Sequence, residues 1–157
     1  MSLKYALQDA VVASLRAVVP STACKSKNIK AALNIDSSMP VILVSVSEDY
    51  ERDQVFNDLR VMSVELRAMT LIDEDQDKAL LEVAVEAADD WMRTERDFGL
   101  LDGFRQARKN PILRRGFRDE DNDKDWHQCA AVFLVPFVKT DEAAPSASPD
   151  PSASASA

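Results

Sequence analysis

Pro40-Val-Ile-Leu-Val-Ser-Val-Ser47 and, after a charged interval, Phe56-Asn-Asp-Leu-Arg-Val-Met-Ser-Val-Glu-Leu-Arg-Ala-Met-Thr-Leu71 decide the fold class. The first segment is nearly continuous in β-branched and apolar residues, as in a strand covered on both faces. The second alternates. Met62, Val64, Leu66 and Ala68 fall on one side, and Ser63, Glu65 and Arg67 on the other, the pattern of a half-buried strand. Between them, Glu48-Asp-Tyr-Glu-Arg-Asp-Gln54 is too polar for a core and makes the turn. The expectation is an antiparallel hairpin near the middle of a small sheet.

Working outward, residues 3–19 carry Leu3, Leu7, Val11, Leu15 and Val18 at helical spacing, with Ser2 as N-cap and Pro20 as the stop. Residues 21–39 hold Lys25, Lys27 and Lys30 ahead of an apolar patch. They read as a loop, with or without a short edge strand. Beyond the hairpin, the acidic cluster at residues 73–77 suits the free N–H groups and dipole of a second helix over residues 77–96. Leu80, Leu81, Ala84, Ala88, Trp91 and Met92 form its apolar stripe. Residues 98–104, with two of the three glycines, break it. Residues 111–118 and 126–138 then make a second hairpin around the acidic turn at residues 119–125. Pro136, which lacks an N–H, belongs at a strand end or on an edge. The predicted core includes Val64, Leu66, Leu81, Ala84 and Val132.

The order helix, hairpin, helix, hairpin predicts an α+β fold. A mixed or antiparallel sheet of about four strands carries two main helices on one face. At 157 residues the chain is one domain by length. That domain occupies residues 1–139, and residues 140–157 form a serine, alanine and proline tail too poor in apolar residues to fold. The strands at Val41 and Ala130 look apolar on both sides, so an uncovered face is expected to seek a partner. A net charge of −8 argues against general binding to nucleic acid or anionic membranes. No apolar run is long enough to span a bilayer, and the first twenty residues lack a secretory signal. Cys24 and Cys129, far apart in sequence, read as free thiols in a reducing cytoplasm.

Chemistry has few footholds. His127 and Cys129 share one strand face. Side chains at i and i+2 stand ~7 Å apart, however, from a rise of ~3.3 Å per residue, and no third group orients them. One histidine and two scattered cysteines do not make a zinc site. Asp119, Asp121 and Asp123 have the first three spacings of a calcium loop. Lys124 and Ala130 then occupy the positions that need glycine and glutamate. The basic run Arg105, Arg108, Lys109, Arg114, Arg115 and Arg118 precedes Asp119, Glu120, Asp121 and Asp123 directly. Three readings stand: a solvated face, contact with DNA phosphates, or pairing with the acidic turn of a neighbouring copy. These ten residues are the interface candidates. No phosphate-binding glycine loop and no nucleophile elbow is present.

The opening helix at residues 3–19, the strand from Pro40, the long strand at residues 59–69, the helix at residues 78–91 and the acidic turn into an apolar strand at residues 117–126 together resemble the tail terminator proteins of long-tailed bacteriophages. The resemblance covers residues 3–138 and rests on element order, since the family has no catalytic motif. It implies a non-enzymatic virion protein without cofactors, assembled in the bacterial cytoplasm and located at the head–tail junction. It further implies a homohexameric ring that caps the tail tube, stops tail polymerisation and docks the head, with DNA passing through its lumen. Its implied partners are its own copies, the tail tube protein and the neck proteins. A neck or head–tail joining protein of the same particle is the alternative, and a small enzyme using Cys129 and His127 the weaker one.

Overall fold

The computed structural model describes residues 2–31, 40–49, 59–71, 75–119 and 126–140. Helix α1 is Leu3–Val18, strand β1 Ile29–Lys30, β2 Val41–Glu48, β3 Leu59–Leu71, helix α2 Asp75–Met92, β4 Phe104–Gln106, β5 Ile112–Asp119 and β6 Trp126–Lys139. The expected α+β class holds, with six strands in place of about four.

Helix α1 starts where the Ser2 hydroxyl accepts the Tyr5 N–H at 3.3 Å. Leu3, Leu7, Val11 and Leu15 are fully buried along one face. The helix ends at Val18, which is 41% exposed. Val19, now in extended backbone, takes the core position instead at 5%. A single 3₁₀ turn at Ser26–Asn28 leads into β1. The Arg16 guanidinium holds that segment through two hydrogen bonds to the Ile29 carbonyl, at 3.1 and 2.9 Å. β1 pairs parallel with β2, so the sheet is mixed.

β2 and β3 are neighbours and antiparallel over eight residue pairs, from Val41 opposite Met69 to Glu48 opposite Met62. β6 lies on the far side of β3, also antiparallel, and β4 and β5 both pair with the outer side of β6. Directly opposed residues project to the same face of a sheet. One face is therefore Ile42, Val44 and Val46 of β2, Met62, Val64, Leu66 and Ala68 of β3, and Cys129, Ala131, Phe133, Val135 and Phe137 of β6. Both helices pack there and complete the core. Trp91 of α2 sits edge-on to Phe133, with ring centroids 5.8 Å apart and planes at 68°. Its indole N–H donates to the Ser14 hydroxyl of α1 at 2.7 Å.

Three expectations need correction. Val132 is half-buried on the opposite face, because the odd-numbered residues of β6 face the helices. Helix α2 spans Asp75–Met92, not 77–96. It is closed at its C-terminus where the Thr94 hydroxyl takes the Asp90 carbonyl at 2.8 Å. Pro136 lies inside β6, buried. Its carbonyl accepts from Ala107 N at 2.8 Å on the outer side, so its nitrogen faces outward too. There β5 has ended opposite Leu134 and β4 begins opposite Phe137, and the missing donor falls in the changeover. The second sheet face keeps part of its apolar surface open, since Val138 is 37% exposed and Leu43, Ile112 and Val132 are half-buried, while other members are covered. Val41, Val61, Met69, Ala130 and Leu134 are each 8% exposed or less within one chain.

The break after α2 has its own local logic. Asp102 (φ 50°) and Gly103 (φ 80°) are the two central residues of a tight turn in which Leu101 and Phe104 exchange both backbone hydrogen bonds at 2.8 Å. Positive φ at both positions is what Asp-Gly hairpin turns require. The turn feeds β4.

Candidate functional site

The face away from the helices carries the polar phase of every long strand. Three rows cross it from β2 to β5. The first is Leu43, Arg67, Ala130, Arg118; the second Ser45, Glu65, Val132, Arg115; the third Ser47, Ser63, Leu134, Ile112. Further along, Arg105 of β4 stands opposite Val138, which shares the parity of Ala130 and Val132. Arg67 is fixed by its neighbours: one guanidinium nitrogen donates to Gln128 Oε1 and the other to Glu65 Oε2, both at 3.1 Å. Ser45, Ser47, Ser63, Glu65, Arg114 and Arg115 border a polar concavity of about 400 Å³ on this face.

The ten interface candidates are thus distributed. Arg115 and Arg118 lie on the open face, two register shifts in β5 having kept both in phase with even-numbered residues of β6. Arg114 borders the concavity. Arg105 extends the strip, while exposed Arg108 and Lys109 sit in the β4–β5 connection. There the Lys109 carbonyl accepts from Arg96 N at 2.9 Å. Asp119 is opposite Cys129 and so turns to the helix side. Glu120, Asp121 and Asp123 lie outside the described residues. The sequence reading put Ser63 and Arg67 on the polar side of β3 but named neither of them, nor Gln128, Ser45 or Ser47, among the interface candidates. Their alternation was visible, but nothing in it said that β6 would stand between β3 and β5.

On the helix side, a groove of about 710 Å³ runs between α2 and the β5–β6 pair. Leu81, Val85 and Phe117 floor it, with Glu82, Glu86 and Asp89 along one wall and His127 and Cys129 on the other. His127 and Cys129 do share a strand face, one half-buried and the other buried. Among the described residues, no three histidine, cysteine or carboxylate side chains converge as metal ligands. Cys24 is a core residue. Its thiol lies 3.4 Å from the Pro40 carbonyl, and burial pushes its pKa up from 9.0 to about 11. That is the opposite of what a nucleophile needs. Arg96 stacks its guanidinium 5.0 Å from the Trp91 ring centroid and donates to the Trp91 carbonyl. Desolvation pulls its pKa down.

No family model matches the chain, and no characterised protein matches it in sequence. Among solved structures, a chain of the virion of a native gene transfer agent particle superimposes with a TM-score of 0.62 at 17% identity. The match covers 87% of this chain and 98% of that one. The two share a fold. Nearly the whole of the virion chain is therefore represented in the present fold. No described helix is long and apolar enough to cross a membrane.

Proposed function

We propose that the chain is a structural protein of a phage-like virion and, more specifically, a tail terminator. Its copies form a ring, a homohexamer in this reading, that caps the last ring of the tail tube, stops tail polymerisation and presents the surface on which the head docks. It acts at the head–tail junction after assembly in the host cytoplasm, with the tail tube protein below it and the neck proteins above. No step of this function is chemical, and His127 and Cys129 serve as wall residues of the groove beside α2.

The observation that carries the reading is the fold shared with the gene transfer agent virion chain over 98% of its length. The element order of helix, hairpin, helix, hairpin supports it. The test is the mass of the purified full-length protein in solution, alone and with tail tubes. A ring that binds purified tubes and blocks their further growth is the expected result. Binding to heads but not tubes would reassign the chain to the neck. Alanine at His127 or Cys129 should leave assembly intact, and loss of tube capping only with those variants would revive a catalytic reading.

A further inference from the structure

Opposite ends of the sheet carry opposite charge. β1 closes the sheet at one end, and β5, on the outer side of β6, lies at the other. Residues 10–31, which lead through β1, hold Arg16, Lys25, Lys27 and Lys30 and no carboxylate. At the β5 end lies the groove beside α2, where Glu82, Glu86 and Asp119 are exposed. That groove also holds Lys78 and Asp89, the latter engaged by Arg93 at 3.0 Å, so its carboxylates outnumber its cations four to two. Its floor of Leu81, Val85 and Phe117 is apolar.

The basic end is presented on an ordered turn. Ala23 N and Cys24 N both donate to the Pro20 carbonyl, at 2.9 and 3.0 Å, and Asn28 N donates to the Lys25 carbonyl at 2.8 Å. The Asn28 side-chain amide donates to the Pro40 carbonyl at 3.2 Å, and Arg16 fixes Ile29 from α1. Lys25 and Lys27 are exposed on this turn, and Lys25 makes no side-chain cap at its start. A segment ordered in advance loses little freedom on docking. Lysine suits the groove in two ways, since its methylene stem covers apolar floor while its ammonium reaches carboxylates at the wall. Glu82 and Glu86, one helical turn apart on α2, stand ~6 Å from each other, within the span of two lysines two residues apart. Within one chain the two ends cannot meet. Four inter-strand spacings of ~4.8 Å separate β1 from β5, ~19 Å in all. The contact they fit is with another copy and, because the two patches differ, it runs head-to-tail.

We propose that the turn at residues 25–27 of one copy docks into the groove beside α2 of the next, with Lys25 and Lys27 on Glu82, Glu86 and Asp119 and their stems over Leu81, Val85 and Phe117. The inference deepens the ring reading and rests on it for closure of the head-to-tail contact. It moves that contact away from the charged run at residues 105–123, of which Asp119 alone takes part. Its test is the solution mass of the full-length protein by light scattering, across protein and salt concentrations. The parent should form an oligomer that salt weakens. Lys25→Glu/Lys27→Glu and Glu82→Lys/Glu86→Lys, all at exposed positions, should each weaken assembly by roughly tenfold or more while keeping the melting temperature. Mixing the two variants, or combining the four changes in one chain, should restore the parent's mass, because every joint then has one acidic and one basic side. Lys25→Gln/Lys27→Gln, which adds no repulsion, should give a smaller loss in the same direction, and it carries the test should a reversal unfold. Reversals that both keep the parent's mass would sink this contact and leave the terminator reading intact. So would weakened assembly that mixing fails to restore. Restored rings that do not cap tail tubes would keep the contact and sink the terminator reading. A parent that stays monomeric alone and on tail tubes overturns both.

Discussion

At the scale of single residues, burial and not chemistry explains most of the distinctive side chains. Leu81 is 6% exposed and belongs to the core between α2 and the sheet, so its truncation removes buried apolar contact. Leu81→Ala should therefore cost ~2–5 kcal/mol in urea unfolding. Val132→Ala, on the half-buried opposite face, should cost clearly less. The comparison of the two tests which parity of β6 faces the helices. Cys24 supplies a pH signature. Its folded pKa of about 11 exceeds its ordinary value of 9.0 because the buried thiolate is poorly solvated. A group raised in this way contributes its full stability below pH 9 and loses it as pH climbs from 9 towards 11. At ~1.4 kcal/mol per unit the loss is on the order of 2–3 kcal/mol. Replacing Cys24 with alanine should flatten the stability profile across that window, as read by denaturant midpoints at successive pH values.

At the scale of elements, two joints hold the layers in place. The first is the hydrogen bond from the Trp91 indole to Ser14, which locks α2 to α1 over Phe133. Ser14→Ala leaves a donor without its acceptor in a part-buried setting and should cost ~1–3 kcal/mol. The accompanying blue or red shift of Trp91 fluorescence in the native state would report the lost contact. Equal stability and an unchanged emission maximum would mean that packing alone sets the helix pair. The second joint is Pro136, tolerated inside β6 because two short strands share that strand's outer side and meet beside it. The proline thus marks where one neighbour hands over to the next.

At the scale of the whole molecule, a net charge of −8 makes copies repel one another at long range, so any assembly has to be held by short-range contacts. Residues 141–157, rich in serine, alanine and proline, offer no apolar periodicity to that architecture. Deleting them should leave the melting temperature within about one or two degrees, as expected when no buried contact is lost. A larger drop by calorimetry would show that the segment packs on the domain.

Local periodicity by itself determined the central hairpin, the core stripe of α1 at Leu3, Leu7, Val11 and Leu15, most of the stripe of α2, and the alternation of β3, because each depends on side chains a few residues apart. The Asp102-Gly103 turn was equally local and readable from its dipeptide. Only the tertiary structure decided which strands became neighbours. Arg67 and Arg118 are separated by fifty-one positions in sequence and by one strand, β6, in the fold. That adjacency follows from long-range pairing, and the phase of β6 follows from which of its two apolar sides the helices cover. Both sides of β6 read as apolar in the sequence, so periodicity could not choose between them. Packing of Trp91 onto Phe133 did.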